Sequence, residues 1–156
     1  MLGRTNTFLA VARMPAKIVR MISRDSRGFF LLLRMAVWVA TLSLMVKVLP
    51  LPTAFRIITP RIKSEAPDDP QAIQDKLARL IDRLLALDLF VFTPTCWKRA
   101  AILHRYLALN GMPNRVIFGV RNAQEKILEG HAWLEANDQP ILEKIAPQYT
   151  KIYAFE

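Results

Sequence analysis

The densest apolar stretch of the chain is residues 28–49, where runs of Phe, Leu, Met, Val and Ala are broken by Arg34, Thr41, Ser43 and Lys47 and stopped by Pro50. A bilayer-spanning helix needs about 20 consecutive apolar residues. Arg34 and Lys47 leave twelve uncharged residues between them, and an arginine inside lipid is costly. The pattern predicts a helix that packs on its domain or lies at a membrane surface with both charges snorkelling, ended by Pro50 and Pro52. Ahead of it, residues 1–27 mix Arg13, Lys17, Arg20, Arg24 and Arg27 with short apolar runs broken by Pro15. They read as a short basic amphipathic helix or an arm, without the continuous apolar core of a secretory signal.

Beyond the turn-rich linker at 64–70, Asp69 and Pro70 form a helix start signal. Ile73, Leu77, Leu80, Ile81, Leu84 and Leu85 then recur at spacings of three and four among charged positions, which predicts an amphipathic core helix to about Leu87. A second helix is expected over Cys96–Leu109, with Thr95 as N-cap and Asn110-Gly111 as its stop. Its Cys96, Ala100, Leu103 and Leu107 form the inward stripe. Alternation then predicts strands at Arg115–Val120, His131–Ala136 and Ile141–Ile145, with a fourth at 149–155. Helices followed by an antiparallel meander give an α+β class, divided into a basic, hydrophobic helical region at 1–63 and a core at 64–156.

Composition narrows the chemistry. The chain has 156 residues, 53% hydrophobic and 22% charged, enough for one folded domain. Residues 1–63 carry eleven Lys or Arg against one acid, and the remainder eleven against twelve. The whole excess of +9 therefore sits at the front, suiting an anionic membrane surface or an acidic partner. No nucleic-acid motif accompanies it, so nucleic acid is not expected as a partner. A single cysteine excludes an internal disulfide and points to a reducing, cytoplasmic setting with peripheral membrane contact through 28–49. One cysteine and two histidines do not make a structural zinc site.

That cysteine, Cys96, opens its helix, where the positive end of the helix dipole favours a thiolate. His131 follows 35 positions later in Gly130-His131-Ala132-Trp133-Leu134-Glu135 and would complete an ion pair able to attack a carbonyl. His104 lies eight residues along the cysteine's own helix, about 12 Å at 1.5 Å per residue, too far to serve. Asp138 and Glu143 compete to orient the imidazole. A three-residue loop at 136–138 would set Glu143 opposite His131, with Asp138 roughly 17 Å away along the hairpin; a two-residue Asn137-Asp138 loop would set Lys144 there instead. Glu143 is the expected third residue. Trp133, Glu135 and Ile141 are expected on the His131 face, with Trp133 packing beside the site.

Cysteine on a helix start, histidine on a strand and an acid on the next strand, in that order, resembles the transglutaminase-like, papain-like arrangement. Cys96-Trp97-Lys98-Arg99-Ala100, Asn110-Gly111-Met112-Pro113, Gly119-Val120-Arg121 and His131-Ala132-Trp133-Leu134-Glu135 resemble, more closely, the stand-alone B protein of lasso-peptide biosynthesis. That family typically has Asp where this chain has Glu143. The resemblance implies a leader peptidase that cuts a ribosomally made precursor peptide, with Cys96 as nucleophile, His131 as base and no metal or organic cofactor. It also implies a separate winged-helix leader-binding protein and a macrolactam cyclase as partners. Two other readings stand beside it: an amine-transferring transglutaminase that uses the same residues, and a membrane-associated, non-catalytic binding protein with a degenerate site, suggested by the basic, hydrophobic front and by Glu143 in place of Asp.

Overall fold

The structure, a computed structural model, describes residues 26–61, 65–88, 92–124, 127–143 and 148–155. The basic arm read at 1–25 and the end of the third predicted strand, at 144–145, lie outside these residues. Four helices are described, α1 (Ser26–Val48), α2 (Leu51–Ile58), α3 (Pro70–Leu85) and α4 (Cys96–Leu109). Four strands follow, β1 (Arg115–Gln124), β2 (Ile127–Ala136), β3 (Gln139–Ile141) and β4 (Thr150–Phe155). The strands form one antiparallel sheet in the order β3-β2-β1-β4, so the class is α+β, as the order of patterns predicts. Residues 26–34 belong to one compact unit and 35–155 to another, which holds everything described below.

In α1, Met35, Val39 and Leu42 repeat at i, i+4 and i+7 and are fully buried. The Arg105 guanidinium lies 3.7 Å over the Trp38 ring, a cation–π contact that ties this helix to α4. Other apolar positions stay open to solvent: Val37, Leu44 and Val48 are each more than half exposed. By length and composition α1 is able to cross a membrane, and a core helix with an exposed apolar side meets the same criterion.

The proline pair after α1 does more than end it. Pro50 is the N-cap of α2 and Pro52 falls in its first turn, where a missing N–H costs nothing. This helix was absent from the predicted elements. It buries Ala54, Phe55 and Ile58, and Phe55 meets Phe118 of β1 edge-on at 5.7 Å and stacks on Phe155 of β4 at 4.5 Å. Helix α2 thus packs on the sheet face that carries Phe118 and Phe155.

Helix α3 starts as its sequence predicts, with the Asp69 carboxylate accepting from the Ala72 N–H at 2.9 Å, and buries Leu77, Ile81, Leu84 and Leu85. Helix α4 has the predicted bounds. It closes in a Schellman turn, with Met112 N–H donating to the Leu107 carbonyl, Gly111 N–H to that of Ala108, and Gly111 at φ 71°. The β2–β3 connection is a two-residue loop, since Ala136 pairs with Gln139 and both Asn137 and Asp138 have positive φ. Strand β2 starts four residues before His131, which therefore stands mid-strand and not at its opening. Ile141 pairs with Leu134 and lies on the face opposite His131, against expectation.

His104 is buried within a polar cluster, Nδ1 at 2.9 Å from Asn114 Oδ1 and Nε2 at 3.1 Å from Thr59 Oγ1. Burial holds its imidazole below the ordinary histidine range, outweighing the hydrogen bonds to Asn114 that act the other way. The unfolded chain therefore takes up this proton first, near pH 6.5, and the folded state loses stability as pH falls through that value until its own, lower pKa is passed. Thermal unfolding midpoints measured from pH 7.5 down to 5.5 are expected to fall less steeply for His104→Gln than for the parent, and equal slopes would refute this account.

Candidate active site

Cys96, Arg99, His131, Leu142 and Glu143, with Asp82 at the rim, line a cleft of about 400 Å³. Helix α4 delivers the first two. Cys96 is its first residue and is half-buried. The Thr95 backbone is extended, as an N-cap requires, but its hydroxyl takes none of the helix's free N–H groups. That hydroxyl is buried and has no hydrogen-bond partner among the described residues. The first turn holds no acid, so its amides keep their positive end towards the cysteine. Lys98, two residues on, is buried with its ammonium donating to Thr93 Oγ1 at 2.7 Å; burial lowers its pKa.

Strand β2 delivers His131, whose ring is held by its neighbours on the sheet. It stacks on Trp133 at 5.9 Å with 15° between planes, and on Tyr149 at 5.2 Å with 30°. Trp133 is fixed in turn by its Nε1–H donating to Glu135 Oε1 at 3.1 Å. The Glu135 carboxylate is buried yet ionised. Burial alone would raise its pKa, but Lys151 at 2.6 Å, Trp133, and Arg115 at 3.0 Å together hold it below the usual carboxylate value. Tyr149 lies under the Arg121 guanidinium, at 4.9 Å, which is paired with Glu129. A chain of contacts from Glu129 to Glu135 thus sets the imidazole plane.

The third group arrives by a route that neither predicted register contains. The two-residue loop is the one expected to place Lys144 opposite His131. Strand β3, however, stops at Ile141, and Leu142 turns into the left-handed region at φ 59°. That turn takes the chain out of the ladder and brings Glu143 Oε2 to 3.5 Å from His131 Nε2. The other carboxylate oxygen, Oε1, lies 3.5 Å from Arg99 Nη1. Arg99 also donates to Asp82 Oδ1 at 2.7 Å and to the Leu142 carbonyl at 3.3 Å.

Cys96, His131 and Glu143 are thus brought to one cleft. Asp138 is not; it sits at the exposed hairpin tip, ion-paired with Arg115. His104 belongs to the cluster with Asn114 and Thr59. Sequence reasoning missed Arg99 as a clamp, Tyr149 as a stacking partner and Glu135 as an anchor. The spacing of Arg99 three residues after Cys96, on the same helical face, was the available signal for the first. Among the described residues no group of His, Cys, Asp and Glu is arranged to hold a metal ion.

A family model described as "Transglutaminase-like superfamily" matches residues 36–154. No curated protein and no solved structure gives a match.

Gly119, opposite His131 on β1, lies against the ring stack. A Cβ there would stand 2.7 Å from the Trp133 ring and 2.9 Å from Tyr149 Cβ. Gly119→Ala is expected to destabilise the fold by about 1–3 kcal/mol, the usual cost of overpacking, and to shift the Trp133 fluorescence as the indole is displaced. Denaturant unfolding followed by fluorescence checks both, and a spectrum and midpoint like the parent's would show that the stack has room to spare.

Proposed function

The chain belongs to the transglutaminase-like superfamily, generally made up of cysteine-based enzymes, and we propose that it is a cysteine peptidase that removes the leader from a ribosomally made precursor peptide, of the kind matured into lasso peptides. The observation that carries this reading is the meeting of Cys96, His131 and Glu143 on one cleft, with Glu143 against His131 Nε2. The leader-removal role rests on the resemblance of the segments around Cys96 and His131 to the stand-alone B proteins.

The residues divide the work as follows. With Nε2 turned to Glu143, the imidazole has Nδ1 left for the thiol. His131 takes the Cys96 proton, and the thiolate attacks the scissile carbonyl carbon. The oxyanion is met by the uncapped N–H groups of the first turn of α4. His131 then returns the proton to the leaving amine, the C–N bond breaks and a thioester remains on Cys96. Water, deprotonated by the same imidazole, cleaves the thioester and frees the thiol. Glu143 holds the ring's orientation and stabilises its charged form. Arg99 acts through Glu143 and is a positioning residue. A winged-helix leader-binding protein and a macrolactam cyclase are the partners this role calls for, and the exposed apolar side of α1 suits contact with a membrane surface.

Cys96→Ala is expected to abolish cleavage of a cognate precursor, read by mass spectrometry, while leaving the circular dichroism spectrum unchanged; full activity in that variant would sink the proposal. Added primary amine separates hydrolysis from transfer, because an amide adduct in place of free carboxylate would make the chain an amine-transferring enzyme. Arg99→Lys keeps the charge but not the planar fork. It is expected to lower kcat roughly tenfold with KM little changed, the pattern of an interaction felt in the transition state. A change in KM alone would make Arg99 a substrate contact instead.

A further inference from the structure

Strand β4 ends the sheet, and among the described residues nothing pairs with its outer edge. It is also exposed on its faces, Ile152 at 61% and Tyr153 at 52%. An uncovered apolar edge strand is a template for another strand. A cleft of about 670 Å³ adjoins it, between the last three residues of β4 and the stretch from Pro52 to Arg61. Tyr153 and Phe155 pair with Phe118 and Val116 and turn their rings towards α2, where Phe155 stacks on Phe55. Ala154 lies between them, and its side chain points to the opposite face, so it lines this cleft with backbone.

The cleft is cationic as well as aromatic. Arg56 and Arg61 both line it, and α2 offers no acid in its first turn or elsewhere in its sequence. Arg99, Arg115 and Arg121 each hold a carboxylate. Among the described residues neither Arg56 nor Arg61 does. The chain's own front segment cannot supply the missing charge, because residues 1–25 carry five Lys or Arg and one acid.

We propose that the outer edge of β4 and the Arg56–Arg61 cleft form a docking site for an extended acidic peptide segment. The segment adds to β4 as a further strand through main-chain hydrogen bonds, seats apolar side chains against Phe155 and Tyr153, and sets carboxylates against Arg56 and Arg61. The site shares no lining residue with the Cys96 cleft, so it stands or fails apart from the chemistry there.

The full chain is titrated into a fluorescein-labelled peptide alternating Glu with Val, and anisotropy is followed. Binding is expected, weakened by salt, and lost when alternate backbone amides of the peptide are N-methylated. Arg56→Gln/Arg61→Gln is expected to raise the dissociation constant roughly tenfold while the rate of Cys96 alkylation by iodoacetamide stays at the parent value. Failure of the acidic peptide to bind, or equal binding by its N-methylated twin, would overturn the proposal without recourse to any variant. Stronger binding by a Lys-Val peptide, or displacement by a single-stranded DNA oligonucleotide at lower concentration than by unlabelled peptide, would overturn it too, the latter in favour of a nucleic-acid surface.

Discussion

One guanidinium holds the cleft together. Arg99 joins α4 to two other segments: α3 through Asp82, and the stretch just past β3 through both the Leu142 carbonyl and the Glu143 carboxylate. A planar fork of donors can make such a junction, and a lysine's point charge cannot. Because Arg99 follows Cys96 by three residues, the same helix face presents thiol and clamp. The distance between them is set by helix geometry, independent of how the loops settle. The remaining variable is what reaches the clamp from the sheet.

The sheet answers with a ring stack in place of a hydrogen-bonded histidine. His131 packs against both Trp133 and Tyr149, which also meet each other at 6.2 Å, and the two partners are tied to charges, Trp133 to Glu135 and Tyr149 to Arg121. Glu135 can stay ionised while buried because three donors converge on it, which offsets the desolvation that an isolated carboxylate would suffer. Gly119 opposite leaves the indole its space. Stability and site geometry therefore share residues: the same buried carboxylate that links β2 to β1 and β4 fixes the plane of the imidazole.

Helix periodicity carried most of what was legible from sequence. The bounds of α4, the Asp69 cap of α3 and the Asn110-Gly111 stop all depend on neighbouring residues, and they appear where the pattern puts them. What was hidden depends on residues remote in sequence or on backbone choices that composition does not mark. Prolines read as terminators became the opening of α2, since proline serves both ends. Strand β2 extends four residues before His131 through a segment without strong alternation. The pairing of Glu143 with His131 was expected from a three-residue loop that does not form. It arises in the two-residue register, because a left-handed leucine cancels the shift.

That leucine accounts for the approach of Glu143 to His131. A non-glycine residue at φ 59° costs of order 1 kcal/mol and persists only where its surroundings over-determine it. Here Arg99 donates to the carbonyl of the strained residue itself, so the clamp that receives the carboxylate also maintains the turn that delivers it. Leaving the ladder at Ile141 moves the next residue away from the cross-strand position opposite His131. The extra methylene of Glu143 restores reach, and leaves one oxygen for the imidazole and the other for Arg99. Glu143 is therefore placed by the helix that carries Cys96 more than by strand pairing. Its length is matched to a turn, and a shorter acid would need a different one.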